Sequence, residues 1–81
     1  MEVKNIKLRN IQNKSLTDRE YEVLNYVMQG YTNKEIAEIL MITHHTVKAH
    51  VASILKKTGA RNRLHVSMIA TEKGLINPHQ D

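Results

Sequence analysis

Residues 42–63 read ITHHTVKAHVASILKKTGARNR, and this stretch predicts one long helix with a cationic outer face. Thr43 is a favoured N-cap residue and Gly59 suits the left-handed conformation that often ends a helix, so we expect the helix to span about 44–58. Its apolar residues follow the spacing of one buried stripe: Val47, Val51, Ile54 and Leu55. The opposite face carries only small and basic residues: Lys48, Ala49, Ala52, Ser53 and Lys56.

Two shorter helices are predicted before this one, each starting with the sequence T-x-x-E. In such a capping box, a Thr and a Glu side chain each accept a hydrogen bond from the other residue's backbone N–H, and the box occurs at Thr17–Glu20 and Thr32–Glu35. The first helix is expected to end near Gln29, with Gly30 as its C-terminal cap. The second spans only about two turns, so it needs neighbours to be stable. Its buried face is predicted to be Ile36, Ala37 and Leu40.

A fourth helix is predicted from residue 62 or 63 to Gly74. Its apolar residues are spread too widely around the axis for one neighbour to cover: Leu64, Val66, Met68, Ile69 and Ala70. We expect one face to close the core and the other, centred on Leu64 and Met68, to meet a second chain or another domain. Because Gly and Pro are scarce and helix-favouring residues abundant, the predicted fold class is all-α.

The composition describes a small basic chain of 81 residues, with 12 Lys+Arg against 8 Asp+Glu. Because it has no Cys, it can form neither a disulfide framework nor a thiolate zinc site. Its five His lack the i, i+4 spacing and carboxylate companion of a metal or catalytic site. No segment approaches the roughly 18 apolar residues of a membrane span. We therefore expect no enzymatic activity, metal, cofactor, small-molecule substrate or membrane association, and a cytoplasmic location.

The positive charge is concentrated in residues 39–71, which contain five Lys or Arg and no Asp or Glu. A surface of one sign requires an acidic partner. A short helix, a tight turn and a longer helix with a polar outer face form a helix-turn-helix, whose second helix lies in the major groove of DNA. Lys48 can donate to guanine, whereas Ala49 and Ala52 can contact only a thymine methyl group. The expected partner is double-stranded DNA.

The segments LTDREYEVL, GYTNKEIAEIL and ITHHTVKAHVASILKKTGARNR together resemble the DNA-binding domain of LuxR/FixJ-type transcriptional regulators. The most specific part is Thr46-Val47-Lys48-x-His50-Val51, followed by Lys57, Gly59 and Asn62-Arg63. The resemblance implies a four-helix domain whose third helix contacts DNA. It also implies that the fourth helix forms a homodimer, a contact that we assign to Leu64 and Met68.

The resemblance places Lys48 and Ala49 at base-facing positions and Ala52 where some relatives have a basic or polar base-reading residue. It places the remaining matched residues near phosphates or in basic surroundings: Thr46, Asn33, Lys34, Lys56, Lys57 and Arg63. We add His44 and His45 to this DNA-binding set. The first turn of a helix favours acidic residues, and a bound phosphate would explain why two imidazoles stand there instead. Met41 stands where the family often has Gly, so either Met41 adopts a positive φ or the turn differs.

The predicted domain spans residues 15–76, preceded by a basic arm or linker over 1–14 and followed by a flexible tail over 77–81. The chain is expected to be either a single-domain regulator or the output domain of a response regulator, with RNA polymerase as a candidate partner. A protein-interaction module that pairs with a full-length regulator and blocks it is the alternative. A promoter-recognising region of a sigma factor is less consistent with the segment KKTGARNR. A basic membrane-surface helix is less consistent with the short turns, which favour a globular domain.

Overall fold

The computed structural model describes residues 15–74, which form four α-helices and contain no β-strand. They are α1 (Asp18–Met28), α2 (Asn33–Leu40), α3 (His44–Thr58) and α4 (Arg63–Lys73). The all-α prediction is therefore confirmed for this part of the chain. The predicted arm over 1–14 and tail over 77–81 lie outside the described residues. None of the four helices has the length and apolar character needed to cross a bilayer.

Both predicted capping boxes are present. At the start of α1, Thr17 N–H donates to Glu20 Oε1 (2.9 Å) and Glu20 N–H donates to Thr17 Oγ1 (3.1 Å). At the start of α2, Thr32 and Glu35 make the equivalent pair at 2.8 and 3.1 Å. These bonds satisfy N–H groups that have no partner inside the helix, so each helix begins directly after its capping threonine.

The turn between α2 and α3 adopts the first of the two alternatives predicted for it, which is a positive φ at Met41. Met41 caps α2 in the left-handed region, with φ 58° and ψ 44°. Ile42 N–H then donates to Ala37 O (3.0 Å), which closes the turn, while the Met41 side chain is 91% exposed. A side chain with a Cβ is strained in this conformation, so Met41 fixes a tight turn at some cost in stability.

The core lies where α3 packs against the other three helices. Its buried apolar residues come from all four helices: Val23, Leu24, Val27, Ile36, Ala37, Val47, Ile54, Val66 and Ala70. Val51 and Leu55 pack against this core from the predicted stripe of α3. Because α3 is buried on this side, its opposite side is fixed toward solvent.

Candidate nucleic-acid interface

The outer face of α3 is exposed and free of acidic residues. Lys48, Ala49, Ala52 and Lys56 are exposed, whereas Val47 and Ile54 on the other side are buried. Ser53 was predicted on the outer face, and that prediction is wrong. It is half-buried, and its hydroxyl donates to Glu20 Oε2 at 2.6 Å. The exposed strip of α3 is therefore Lys48, Ala49, Ala52 and Lys56, which we call the α3 strip.

The first turn of α3 continues this surface toward the helix N-terminus. His44 and His45 are both exposed, and no acidic residue lies in that turn. Thr46 N–H donates to the Thr43 hydroxyl (3.0 Å), and the two hydroxyl oxygens lie 2.8 Å apart. Thr43 is thus the N-cap of α3, and Thr46 supplies the backbone N–H that this cap satisfies. Two exposed imidazoles thus lie in the first turn of α3, where the positive end of the helix dipole favours an anion.

Glu20 joins the first turn of α1 to one side of α3. Its side chain is 6% exposed and lies 2.9 Å from Lys57 Nζ, which donates to Oε1, while Ser53 donates to Oε2. Burial alone would raise the pKa of Glu20, but the hydrogen bonds from Lys57, Ser53 and Thr17 lower that pKa to about 2. We call Glu20 and its partners Thr17, Ser53 and Lys57 the Glu20 node. The node holds the Lys57 ammonium in a contact within the domain, and it fixes the rotation of α3 about its own axis.

Arg63 makes a second link between distant segments. Its guanidinium donates from Nη1 to Asn33 Oδ1 (2.5 Å) and from Nη2 to the carbonyl oxygen of Tyr31. Burial lowers the pKa of Arg63, but a guanidinium keeps its charge in proteins. We call these contacts the Arg63 tie. They link the first turn of α4 to the first turn of α2, where Lys34 remains exposed.

The structure thus divides the predicted DNA-binding residues into two groups. Most are exposed or close to the α3 strip: Lys34, His44, His45, Thr46, Lys48, Ala49, Ala52 and Lys56. Lys57, Arg63 and Asn33 instead form hydrogen bonds within the domain. Glu20 and Ser53 were not among the predicted site residues. The i, i+4 spacing of Ser53 and Lys57 places both on one side of α3, but it does not indicate that Glu20 lies opposite them.

The outer face of α4 is apolar and exposed. Leu64 is 71% exposed and Met68 is 54% exposed. Met68 also lines an open surface depression, together with Ser67, Thr71 and Glu72. Val66 and Ala70 are buried on the core side of the same helix, which agrees with the prediction of two apolar faces. The contact of the outer face with a second chain or another domain stays a prediction.

Comparison with known proteins identifies the architecture. The profile of GerE, described as "Bacterial regulatory proteins, luxR family", matches residues 14–70, which is more than half of the chain. The chain belongs to the luxR family. This is a family of DNA-binding transcription regulators and not of enzymes, and its helix-turn-helix corresponds here to α2, the Met41 turn and α3.

Individual luxR-family relatives are similar over most of this chain. The transcriptional regulatory protein LiaR of Bacillus subtilis is 42% identical over 67 residues, covering 83% of the chain and 32% of LiaR. The transcriptional activator protein BjaR1 of Bradyrhizobium diazoefficiens is 44% identical, covering 78% of the chain and 26% of BjaR1. The nitrate/nitrite response regulator protein NarP of Escherichia coli is 41% identical, covering 67% of the chain and 25% of NarP. The chain thus spans a third or less of the length of these relatives.

Proposed function

We propose that the chain binds double-stranded DNA in a sequence-specific manner and regulates transcription, with α3 in the major groove. The observation that carries the proposal is the α3 strip, in which Lys48 and Lys56 flank two alanines and no acidic side chain intervenes. Small side chains allow the helix backbone to approach base edges closely, and the lysines supply positive charge. Because the Glu20 node fixes the rotation of α3, this strip is preorganised for contact.

Base recognition in this proposal depends chiefly on Lys48. Its ammonium can donate to guanine O6 and N7, whereas Ala49 and Ala52 offer only methyl groups to thymine. Such a small set of contacts gives limited direct readout. The remaining specificity would come from sequence-dependent DNA shape and deformability.

Phosphate contacts would come from the ends of the helices. Lys34 at the first turn of α2, His44 and His45 at the first turn of α3, and Lys56 are all exposed. Helix N-termini bind phosphate through their backbone N–H groups, which here belong to α2 and α3. Each neutralised phosphate contributes roughly 0.9 to the slope of log affinity against log salt concentration, so binding is expected to weaken steeply with salt.

The proposed DNA-bound form is a homodimer joined through Leu64 and Met68. These are two of the most exposed large apolar side chains among residues 15–74, and they lie one turn apart on α4. A twofold pair would place two copies of α3 on two half-sites. We also propose RNA polymerase as a partner of the DNA-bound protein.

Replacement of Lys48 tests this function. We expect Lys48→Ala to weaken binding to a duplex selected from a random pool by about 1 to 3 kcal/mol, or about five- to 150-fold, and to relax preference at one base pair. Lys73→Ala is the matched control, because it removes the same charge from an exposed site at the end of α4. Equal losses in both variants, with unchanged base preference, would contradict the proposed role of the α3 strip.

The exposed face of α4 favours a second candidate function, which is blocking of a full-length regulator by heterodimerisation. In that case the chain would form hetero-oligomers through Leu64 and Met68, and Lys48→Glu would leave them unchanged. A DNA-binding regulator would lose DNA affinity on the same substitution. Measuring both properties of one variant distinguishes the two functions.

A further inference from the structure

We infer that Arg63 is a positioning residue that orients Asn33 and the first turn of α2 toward a DNA phosphate, without contacting the phosphate itself. This inference rests on the proposed function and adds a residue to it. The guanidinium links three chain segments: the start of α4, the carbonyl of Tyr31 in the α1–α2 loop, and the side chain of Asn33.

The chemistry of the two side chains determines how Asn33 is oriented. A guanidinium has donors but no acceptor, so the oxygen of the Asn33 amide must face Arg63. Since the amide is planar, fixing Oδ1 also fixes the direction in which the two Nδ2 donors point. Asn33 is the first residue of α2, and the next residue is the exposed Lys34. One bond to Arg63 therefore sets the direction of a neutral donor beside a cation and a helix N-terminus.

The contact with Tyr31 makes the orientation rigid. Tyr31 immediately precedes Thr32, the N-cap of α2, and its ring packs edge-on against Tyr26 with ring centroids 5.3 Å apart. Arg63 thus holds the backbone before the cap and the side chain after it at the same time. A lysine has one compact ammonium and cannot reproduce this planar, two-point geometry. Charge alone is therefore insufficient, which separates a positioning role from a simple phosphate contact.

The inference is tested by DNA affinity at several salt concentrations, using the full chain and a labelled duplex that the unmodified chain has selected from a random pool. The variants are Arg63→Lys, Arg63→Met, Asn33→Ala and the double variant Arg63→Met/Asn33→Ala. Arg61→Met is the matched control, because Arg61 is exposed and lies outside the Arg63 tie. Circular dichroism identifies a temperature at which every compared variant is folded, and DNA affinity is measured there. At that temperature, a residue that only stabilises the fold would leave the DNA affinity unchanged when it is replaced.

We expect Arg63→Lys and Arg63→Met to weaken binding by about tenfold each, with the salt slope of the unmodified chain. The double variant is expected to bind like Asn33→Ala alone, because both changes remove one shared contact. Full affinity of Arg63→Lys, with a slope lower by roughly one in Arg63→Met, would instead show a direct phosphate contact and overturn the inference. Losses that multiply in the double variant would overturn it as well.

The two proposals fail in different ways. If Arg63→Met unfolds, Arg63→Lys and the double variant Arg63→Lys/Asn33→Ala replace it in the same comparison with Asn33→Ala. An unmodified chain without salt-dependent DNA binding would refute the proposed function and the inference with it. An unmodified chain that binds, combined with independent effects of Arg63 and Asn33, would refute the inference alone.

Discussion

Replacing Glu20 by Gln should reveal how much the Glu20 node contributes to stability. The node lowers the pKa of Glu20 from its ordinary 4.5 to about 2. A difference of that size corresponds to about 3 kcal/mol of unfolding free energy near neutral pH. The Gln side chain has nearly the same shape and keeps an acceptor for Thr17 N–H, but it leaves the Lys57 ammonium without a counter-charge. We therefore expect Glu20→Gln to lose about 2 to 3 kcal/mol near pH 7.

The pH dependence gives the direction of the effect. A carboxyl group whose pKa is lower in the folded state stabilises the fold above its unfolded pKa, and this stabilisation disappears as the pH falls toward the folded value. The unmodified chain should therefore lose the contribution of Glu20 between about pH 4.5 and about pH 2. The stability gap between the unmodified chain and Glu20→Gln should narrow over the same interval.

Urea unfolding followed by circular dichroism measures this gap at about pH 7 and about pH 3. Glu22→Gln is the matched control, because Glu22 pairs with Arg19 at the surface with its side chain 57% exposed. Such a pair contributes at most about 0.5 to 1 kcal/mol. A Glu20→Gln deficit that is equally large at both pH values would refute the reasoning, since it would show that packing and not the charge supports the node.

Two further predictions concern the turn and the outer face of α4. Met41→Gly should raise the free energy of unfolding by about 1 kcal/mol, because glycine adopts positive φ without strain and the Met41 side chain buries little surface; a lower urea midpoint would contradict this. Met68→Glu should leave the monomer folded and weaken dimerisation on DNA, since it places a charge on an apolar contact. An unchanged sedimentation coefficient of the DNA complex would rule out Met68 as part of the dimer contact.

The local features of this fold could be predicted because short-range chemistry determines them. The capping boxes at Thr17–Glu20 and Thr32–Glu35 gave the starts of α1 and α2 to the residue. Gly59 and Gly74 end α3 and α4, as expected, and both adopt the left-handed conformation. The periodic apolar residues of α3 likewise identified its buried side. These features involve residues within one or two helical turns, which a single sequence displays directly.

The partners of the cations could not be predicted in this way. Lys57 and Glu20 are 37 residues apart, and Arg63 and Asn33 are 30 apart. Whether a lysine on a helix faces solvent or a distant carboxylate depends on how the helices pack, which periodicity does not specify. Helical spacing predicts Ser53 on the outer face of α3, because spacing does not show how far the neighbouring helix covers that face. In the structure Ser53 lies at the boundary between the exposed and the buried side, and its hydroxyl donates to Glu20. The composition of the α3 strip was thus predictable, while its limits were not.

Methylation interference tests most directly whether α3 occupies the major groove. Dimethyl sulfate modifies guanine at N7, which lies in the major groove, and adenine at N3, which lies in the minor groove. With duplexes that the chain selects from a random pool, we predict that N7 methylation within the two half-sites blocks binding and that N3 methylation there does not. Interference confined to adenine N3, or binding indifferent to N7 methylation, would contradict the placement of α3 in the major groove.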